Sequence, residues 1–179
     1  MTRLPLRDAD ALDPGDRDLL RRPIHLYRAM VNAPGMTRAF QGWADHVRFG
    51  GRLDPRLREL AILQVAWTTR SAYEWSHHVR IGRAFGVTDA DLRAVMREEG
   101  TPDAAGGAVL RAARGIAAAG DLSDAEDAGL RDHLDDAART ELLLIASLYV
   151  GLSRFLTAAR IGVEEEYEAE LRDFPLPPA

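Results

Sequence analysis

Residues 59–78 read ELAILQVAWTTRSAYEWSHH, the most apolar run in the first half of the chain, and its apolar faces carry ionisable groups. At 100° per residue a helix over 59–69 gathers Ile62, Leu63, Ala66 and Trp67 into one arc, with Glu59 inside it. Gln64 and Thr68 mark the wetter side. A second helix over 71–85 puts Ser71, Glu74, Trp75, His78, Val79, Gly82 and Phe85 on one side and Ser76, Arg80 and Arg83 on the other. Glu74 and His78 are four apart and so adjacent on that surface. Burying an unpartnered polar group costs about 2–7 kcal/mol, and a charge costs more. A chain that keeps two carboxylates and an imidazole in such stripes must pair them, use them, or both.

The rest of the composition narrows what those groups serve. At 179 residues the chain is expected to form a single all-α domain over 1–179, with an N-terminal arm at 1–18 and a non-helical tail at 172–179. A chain of this size buries enough apolar surface to need no metal or disulfide staple. It has no cysteine, which removes disulfides, thiolate metal sites and thiol redox chemistry together. The N-terminus has no signal-like apolar segment, and residues 142–152 are too short an apolar run to span a bilayer. A net charge of −5 argues against nucleic acid as a partner and against a helical DNA-binding regulator. The expectation is a cytoplasmic protein with neither nucleic-acid nor membrane partners.

Helix signals divide the chain without strands. Pro23 sits in a first-turn position of a helix reaching about Asn32, and Ala33-Pro34-Gly35 breaks before a helix over 36–49 with Phe40, Trp43 and Val47 as its stripe. Asp54-Pro55 is an N-cap followed by an N1 proline, opening the helix that carries Glu59. Residues 68–71 form a kink or short turn. Thr88-Asp89-Ala90-Asp91 and Ser123-Asp124-Ala125-Glu126 read as capping boxes. A glycine-interrupted helix spans 104–119, and a long helix covers about 137–163. A shift of 82 residues lays Glu59-Leu60 on Glu141-Leu142, Trp67 on Tyr149 and Ser71 on Ser153, a faint internal duplication of helical hairpins. Glu74 then falls on Leu156 and His78 on Arg160, so the second copy drops the ionisable pair.

Glu59, Glu74 and His78 are the candidates for chemistry. A histidine shares a proton with a carboxylate, and burial poises both near neutrality. The competing reading is a structural Glu–His pair that ties two helices together. His77 falls off the apolar face, as a solvated or interface histidine would. Glu74-Trp75-Ser76-His77 spells the E-x-x-H of di-iron bundles, but the chain has no second copy, and His25, His46 and His133 lack zinc-ligand spacing. No metal or cofactor is expected. Trp43, Trp67 and Trp75 read as core, the Ala104–Gly107 run is no phosphate loop, and Glu164-Glu165-Glu166 reads as a solvated helix end.

Leu57-Arg58-Glu59-Leu60-Ala61-Ile62-Leu63, then Ser71-Ala72-Tyr73-Glu74-Trp75-Ser76-His77-His78, then Gly86-Val87-Thr88 resembles the carboxymuconolactone decarboxylase family, which includes the alkylhydroperoxidase-like proteins. The resemblance runs from about Pro23 to Glu166. It implies an all-α alkylhydroperoxidase-like helical bundle assembled as a trimer, hexamer or dimer. In its peroxidases a Glu is followed by Cys-x-x-Cys and a His four residues on. Glu59 and His78 match the Glu and the His, whereas Ser71 and Glu74 stand where the two cysteines would be. The resemblance then implies a decarboxylase-like carbon–carbon lyase, without a cofactor, acting on a small organic acid or lactone. His78 is the expected general acid/base, Glu59 its orienting carboxylate and Glu74 a second acid or anchor. Ser71, Tyr73, Trp75 and His77 are expected to line or flank the substrate pocket. The rival from another class is a non-catalytic oligomeric binding or scaffold protein.

A serine hydroxyl cannot cycle through sulfenate and disulfide, so the protein is expected not to consume hydroperoxide above a boiled control, even with a dithiol reductant. The Ser71→Cys, Glu74→Cys double variant is expected to gain weak activity. Robust turnover by the unmodified protein would contradict this.

Overall fold

The structure is a computed structural model that describes residues 1–101 and 103–177. Nine α-helices carry the described chain: α1 (His25–Met30), α2 (Pro34–Phe49), α3 (Pro55–Thr68), α4 (Ala72–Ala84), α5 (Asp89–Arg97), α6 (Ala104–Ala119), α7 (Asp124–Arg131), α8 (Asp136–Ala159) and α9 (Glu168–Asp173). Three 3₁₀ segments add Ala9–Ala11, Pro14–Leu20 and Glu165–Tyr167. There is no strand among the described residues, so the all-α class expected from the pattern holds.

The helix ends follow their side chains. Asp54 accepts from the Arg56 and Leu57 backbone N–H groups and starts α3 with Pro55 behind it. Thr88 with Asp91 and Ser123 with Glu126 close full capping boxes on α5 and α7. α6 runs through its glycines unbroken. In the register offset by 82 residues, α3, the turn and the first half of α4 correspond to α8, which remains one continuous helix where α3 and α4 are parted.

α3 is the hub. It packs against α4, α5, α6 and α8, and every residue from Leu57 to Trp67 is buried. A helix enclosed on all sides has no wet face. Gln64, expected on the wetter side, is therefore buried beneath α6, where it donates to Thr68 Oγ1 at 3.0 Å and accepts from Arg114 at 3.4 Å. Ser76, expected opposite the apolar side of α4, is buried as well and back-bonds to the Tyr73 carbonyl at 3.1 Å.

Two apolar clusters result. One surrounds α3 and includes Leu60, Leu63, Trp75, Val79, Leu92, Leu142 and Ala146. The other joins Leu19, Leu20, Leu26, Tyr27 and Val31 to Tyr73, Leu156 and Ile161. The expected arm is docked on this second cluster through Leu4, Leu6, Ala9 and Leu12, and Arg3 N–H donates to the Ala159 carbonyl at 2.8 Å. At the other end α9 runs to Asp173, into the expected non-helical tail; residues 178 and 179 of that tail lie outside the described residues.

α8 has the length and composition of a membrane span, longer than the apolar run read from the sequence. Its apolar character has a local explanation. One face, with Leu142, Ile145, Ala146 and Tyr149, packs on α3 and α6, while Leu144 and Leu148 face outward. Phe40 and Trp43, from the α2 stripe, join an aromatic chain from Tyr27 to Tyr149.

Gly82 sets how closely α4 approaches α3. A Cβ there would lie 3.1 Å from Val87 Cγ2 and 3.5 Å from Glu59 Cβ. Gly82→Ala gains about 1 kcal/mol of helix propensity, but overpacking against a β-branched neighbour costs about 1–3 kcal/mol. A net loss of stability is expected in urea denaturation, and a gain would mean that Val87 yields.

Candidate active site

The turn between α3 and α4 builds the site. Thr69 ends α3 and Arg70 takes a left-handed conformation (φ 55°). Arg70 N–H donates to the Trp67 carbonyl and Ser71 N–H to the Ala66 carbonyl, which is the double bond of a Schellman stop. The chain reverses, and Ser71 caps α4 by accepting from the Glu74 backbone N–H. Glu59 and His78, nineteen residues apart, then face one another.

His78 Nδ1 lies 2.7 Å from Glu59 Oε2, and His78 Nε2 lies 3.4 Å from Glu74 Oε2. The other oxygen of Glu59 is held by Arg58, with Nε at 3.0 Å and Nη2 at 2.9 Å. Arg58 Nη1 also donates to the Val47 and Arg48 carbonyls at the end of α2, and its guanidinium lies 4.5 Å from the Phe85 ring centroid. The edge of Tyr149 meets the His78 ring at 5.2 Å. Glu59, Glu74 and His78 are all buried.

Burial disfavours the His78 imidazolium, but Glu59 and then Glu74 outweigh it and raise its pKa to about 9. Burial likewise pushes Glu59 up, and His78 and Arg58 overcome this to hold the carboxyl below its ordinary value. Glu74 Oε1 is different: it is buried and has no hydrogen-bond partner.

A cavity of about 90 Å³ opens beside these groups at the seam between the two apolar clusters. Glu59, Glu74, His78 and Tyr149 line it together with Tyr73, His77, Tyr27, Arg22, Arg48 and Arg58. The expected pocket residues therefore divide. Tyr73 and His77 line the cavity. Ser71 does not; it is the N-cap of α4. Trp75 does not either, because it is fully buried in the α3 cluster and donates from Nε1 to the Phe174 carbonyl at 2.7 Å.

His77 corrects the sequence reading most clearly. It is buried, not solvated, stacked between Tyr73 at 4.2 Å and Tyr167 at 3.7 Å, with Nε2 2.8 Å from Glu164 Oε2. Glu164, read as part of a solvated helix end, is the hub of this second cluster. Its Oε1 accepts from Tyr73 Oη at 2.9 Å and from the His25 backbone N–H at 2.6 Å. Burial raises the Glu164 pKa, but the His77 bond and the His25 N–H bring it down to about 2. Nothing in the local pattern of residues 161–174 signals this, because the partners arrive from α1 and α4. Among the described residues, no group of three or more His, Asp or Glu side chains could hold a metal ion.

Residues 34–119, from the start of α2 to the end of α6, match the model of the carboxymuconolactone decarboxylase family, and Glu59, Glu74 and His78 lie inside this segment. Among solved structures, the fold is similar to an uncharacterized peroxidase-related protein with an alkylhydroperoxidase AhpD core from Ralstonia eutropha JMP134. The TM-score is 0.80 at 18% identity, covering 93% of this chain and 94% of that one. The debrominase Bmp8, solved as a cysteine-to-alanine variant with 2,3,4-tribromopyrrole, gives 0.81 at 19% identity over 97% of both chains. An uncharacterized peroxidase-related protein from Silicibacter sp. TM1040 gives 0.79 at 20% identity over 93% of both. These likenesses establish the alkylhydroperoxidase-like fold. No curated protein matches the chain.

The raised pKa makes stability depend on pH. His78 binds its proton more tightly folded than unfolded, so its contribution is complete below about pH 6.5 and is lost as pH rises towards about 9. A loss on the order of 3 kcal/mol across that window is expected from chemical denaturation at stepped pH. His78→Asn should lower stability overall and flatten this segment; an unchanged slope would assign it to another group.

Proposed function

We propose that this cysteine-free member of the carboxymuconolactone decarboxylase family is an acid–base enzyme. It moves a proton at carbon in a small organic acid or lactone, by decarboxylation or isomerisation, without a cofactor and not as a peroxidase. The observation that carries the reading is Glu74 Oε1, buried without a partner on a residue that lines the cavity, while Oε2 of the same carboxyl faces His78. Both nitrogens of His78 are engaged, one by Glu59 and one by Glu74. The atom free to meet a substrate is therefore on Glu74.

This redistributes the roles expected from the sequence. Glu74 is the proton-transfer residue, and His78 and Glu59 are positioning residues. As a base, Glu74 Oε1 takes a proton from a substrate carbon while His78 donates to Oε2. Returning that proton to a different carbon completes an isomerisation. In a decarboxylation, Glu74 starts protonated; the C–C bond breaks, CO₂ leaves, and the electron pair left on carbon takes the Glu74 proton. The imidazolium then stabilises the resulting carboxylate. Arg58 holds Glu59 ionised throughout, so the pair does not discharge.

A non-catalytic reading is favoured by the reach of the Arg58–Glu59–His78 network, which ties α2, α3 and α4 together. The two readings put damage in different places. Deuterium incorporation from D₂O into a panel of β-keto acids and butenolides, followed by NMR, is expected for the native protein. Glu74→Gln should reduce it by at least about a hundredfold with little change in melting temperature. His78→Asn should shift its pH profile. If no panel member exchanges or is turned over, and Glu59→Gln and His78→Asn lose only stability, by roughly 3–5 kcal/mol, the network is structural.

The partner this reading carries is a second copy of the chain. Leu144 and Leu148 are exposed one turn apart on α8, and Gly151 is exposed one turn further along. Light scattering at micromolar concentration is expected to show a homo-oligomer, and a clean monomer would exclude it.

A further inference from the structure

The charged groups that line the cavity do not balance. Arg58 is matched by Glu59, and His78 lies between Glu59 and Glu74. His77 is matched by Glu164. Arg22 shares Asp45, at 3.6 Å, with Arg21 and donates to Tyr27 Oη at 3.2 Å. Arg48 has no acidic partner among the described residues. Its Nε is buried with no hydrogen-bond partner, and its guanidinium sits 5.5 Å from the Phe49 ring and 5.8 Å from the Phe85 ring.

The position of Arg48 is fixed by the same network that holds the site. It lies near the end of α2, and its carbonyl accepts from Arg58 Nη1 at 3.1 Å. A guanidinium always carries its charge, and leaving a buried N–H of that charge unpaired is costly. The aromatic faces offset part of this cost but supply no acceptor oxygen. The cavity wall therefore holds a buried donor without a partner, on a cation that has no carboxylate of its own.

We infer that the ligand of this cavity carries one negative charge, and that Arg48 is the residue that binds its carboxylate. The inference rests on the acid–base reading of the same cavity and narrows it, selecting organic monoanions over neutral lactones and enones. A planar carboxylate meets a guanidinium with two parallel hydrogen bonds, which fixes orientation as well as charge. Arg48 then anchors one end of the ligand, and Glu74 Oε1 waits for a proton at another. The second charge of a dianion would meet only Arg22, already held by Asp45 and Tyr27, with Glu59 and Glu74 beside it.

The test is calorimetric titration of the full chain with acetate, crotonate and benzoate, each against its amide, with succinate as the dianionic arm. At least one monocarboxylate should bind where its amide does not, and more tightly than succinate. Arg48→Gln should weaken that binding about tenfold to a hundredfold, with Arg48→Met at least as weak and Arg48→Lys recovering part of it. Binding that depends on Arg48, with no proton exchange by the native protein, would remove the acid–base reading and leave the anion site standing. Equal binding of acids and amides, tighter binding of succinate, no binding by any monocarboxylate, or unchanged affinity in Arg48→Gln would each overturn the anion site.

Discussion

The ion pair between Glu59 and its two cations is the constraint on which this structure depends. α3 is enclosed by four other helices, yet it carries Arg58 and Glu59 at 3% and 2% exposure. Neither could be there alone, because a lone buried charge costs several kcal/mol. Arg58 covers one oxygen of Glu59 and His78 covers the other. Arg58 spends its remaining Nη1 donors on the last carbonyls of α2, which lack helical partners of their own. One carboxylate thus fixes the end of α2, the rotation of α3 and the face that α4 turns inward. Gly82 allows the close approach that this geometry needs.

The same arrangement creates a site by leaving something over. With Glu59 and Glu74 on either side of one imidazole, three groups share two contacts, and one carboxylate oxygen remains unpaired. That oxygen belongs to Glu74. Ser71, at the start of α4, is a helix cap. The two positions thus hold a buried acid and a structural hydroxyl. Across the cavity, the Glu164 cluster joins α1, the start of α4 and the segment after α8. Its stacked rings and low-pKa carboxylate make the second wall as firm as the first.

Much of this was legible in residue order. Asp54-Pro55, Thr88 with Asp91, and Ser123 with Glu126 each satisfy orphan N–H groups within a few residues, so their helices start where the local chemistry says. The Glu59–His78 pairing was legible too, because two apolar stripes carrying opposite halves of a hydrogen bond have few ways to be buried. Other features resisted. The 3₁₀ segments and α9 are too short to show a period. Gln64, Ser76 and His77 looked wet because a helical wheel shows only one helix, and they are buried by α6, α9 and the chain around Tyr167.

The sequence by itself determined the all-α class, most helix starts, the absence of thiol chemistry and the three ionisable residues at the centre. Those follow from composition, from period and from contacts spanning a few residues. Only the tertiary structure decided which of the three keeps a free oxygen, that Trp75 and Ser71 face away from the cavity, and that Glu164 and Arg48 belong to its surroundings. The physical reason is that burial and charge balance are properties of several helices at once. Glu164 meets His77 across 87 residues, and Arg48 stands out only after every neighbouring charge has been matched.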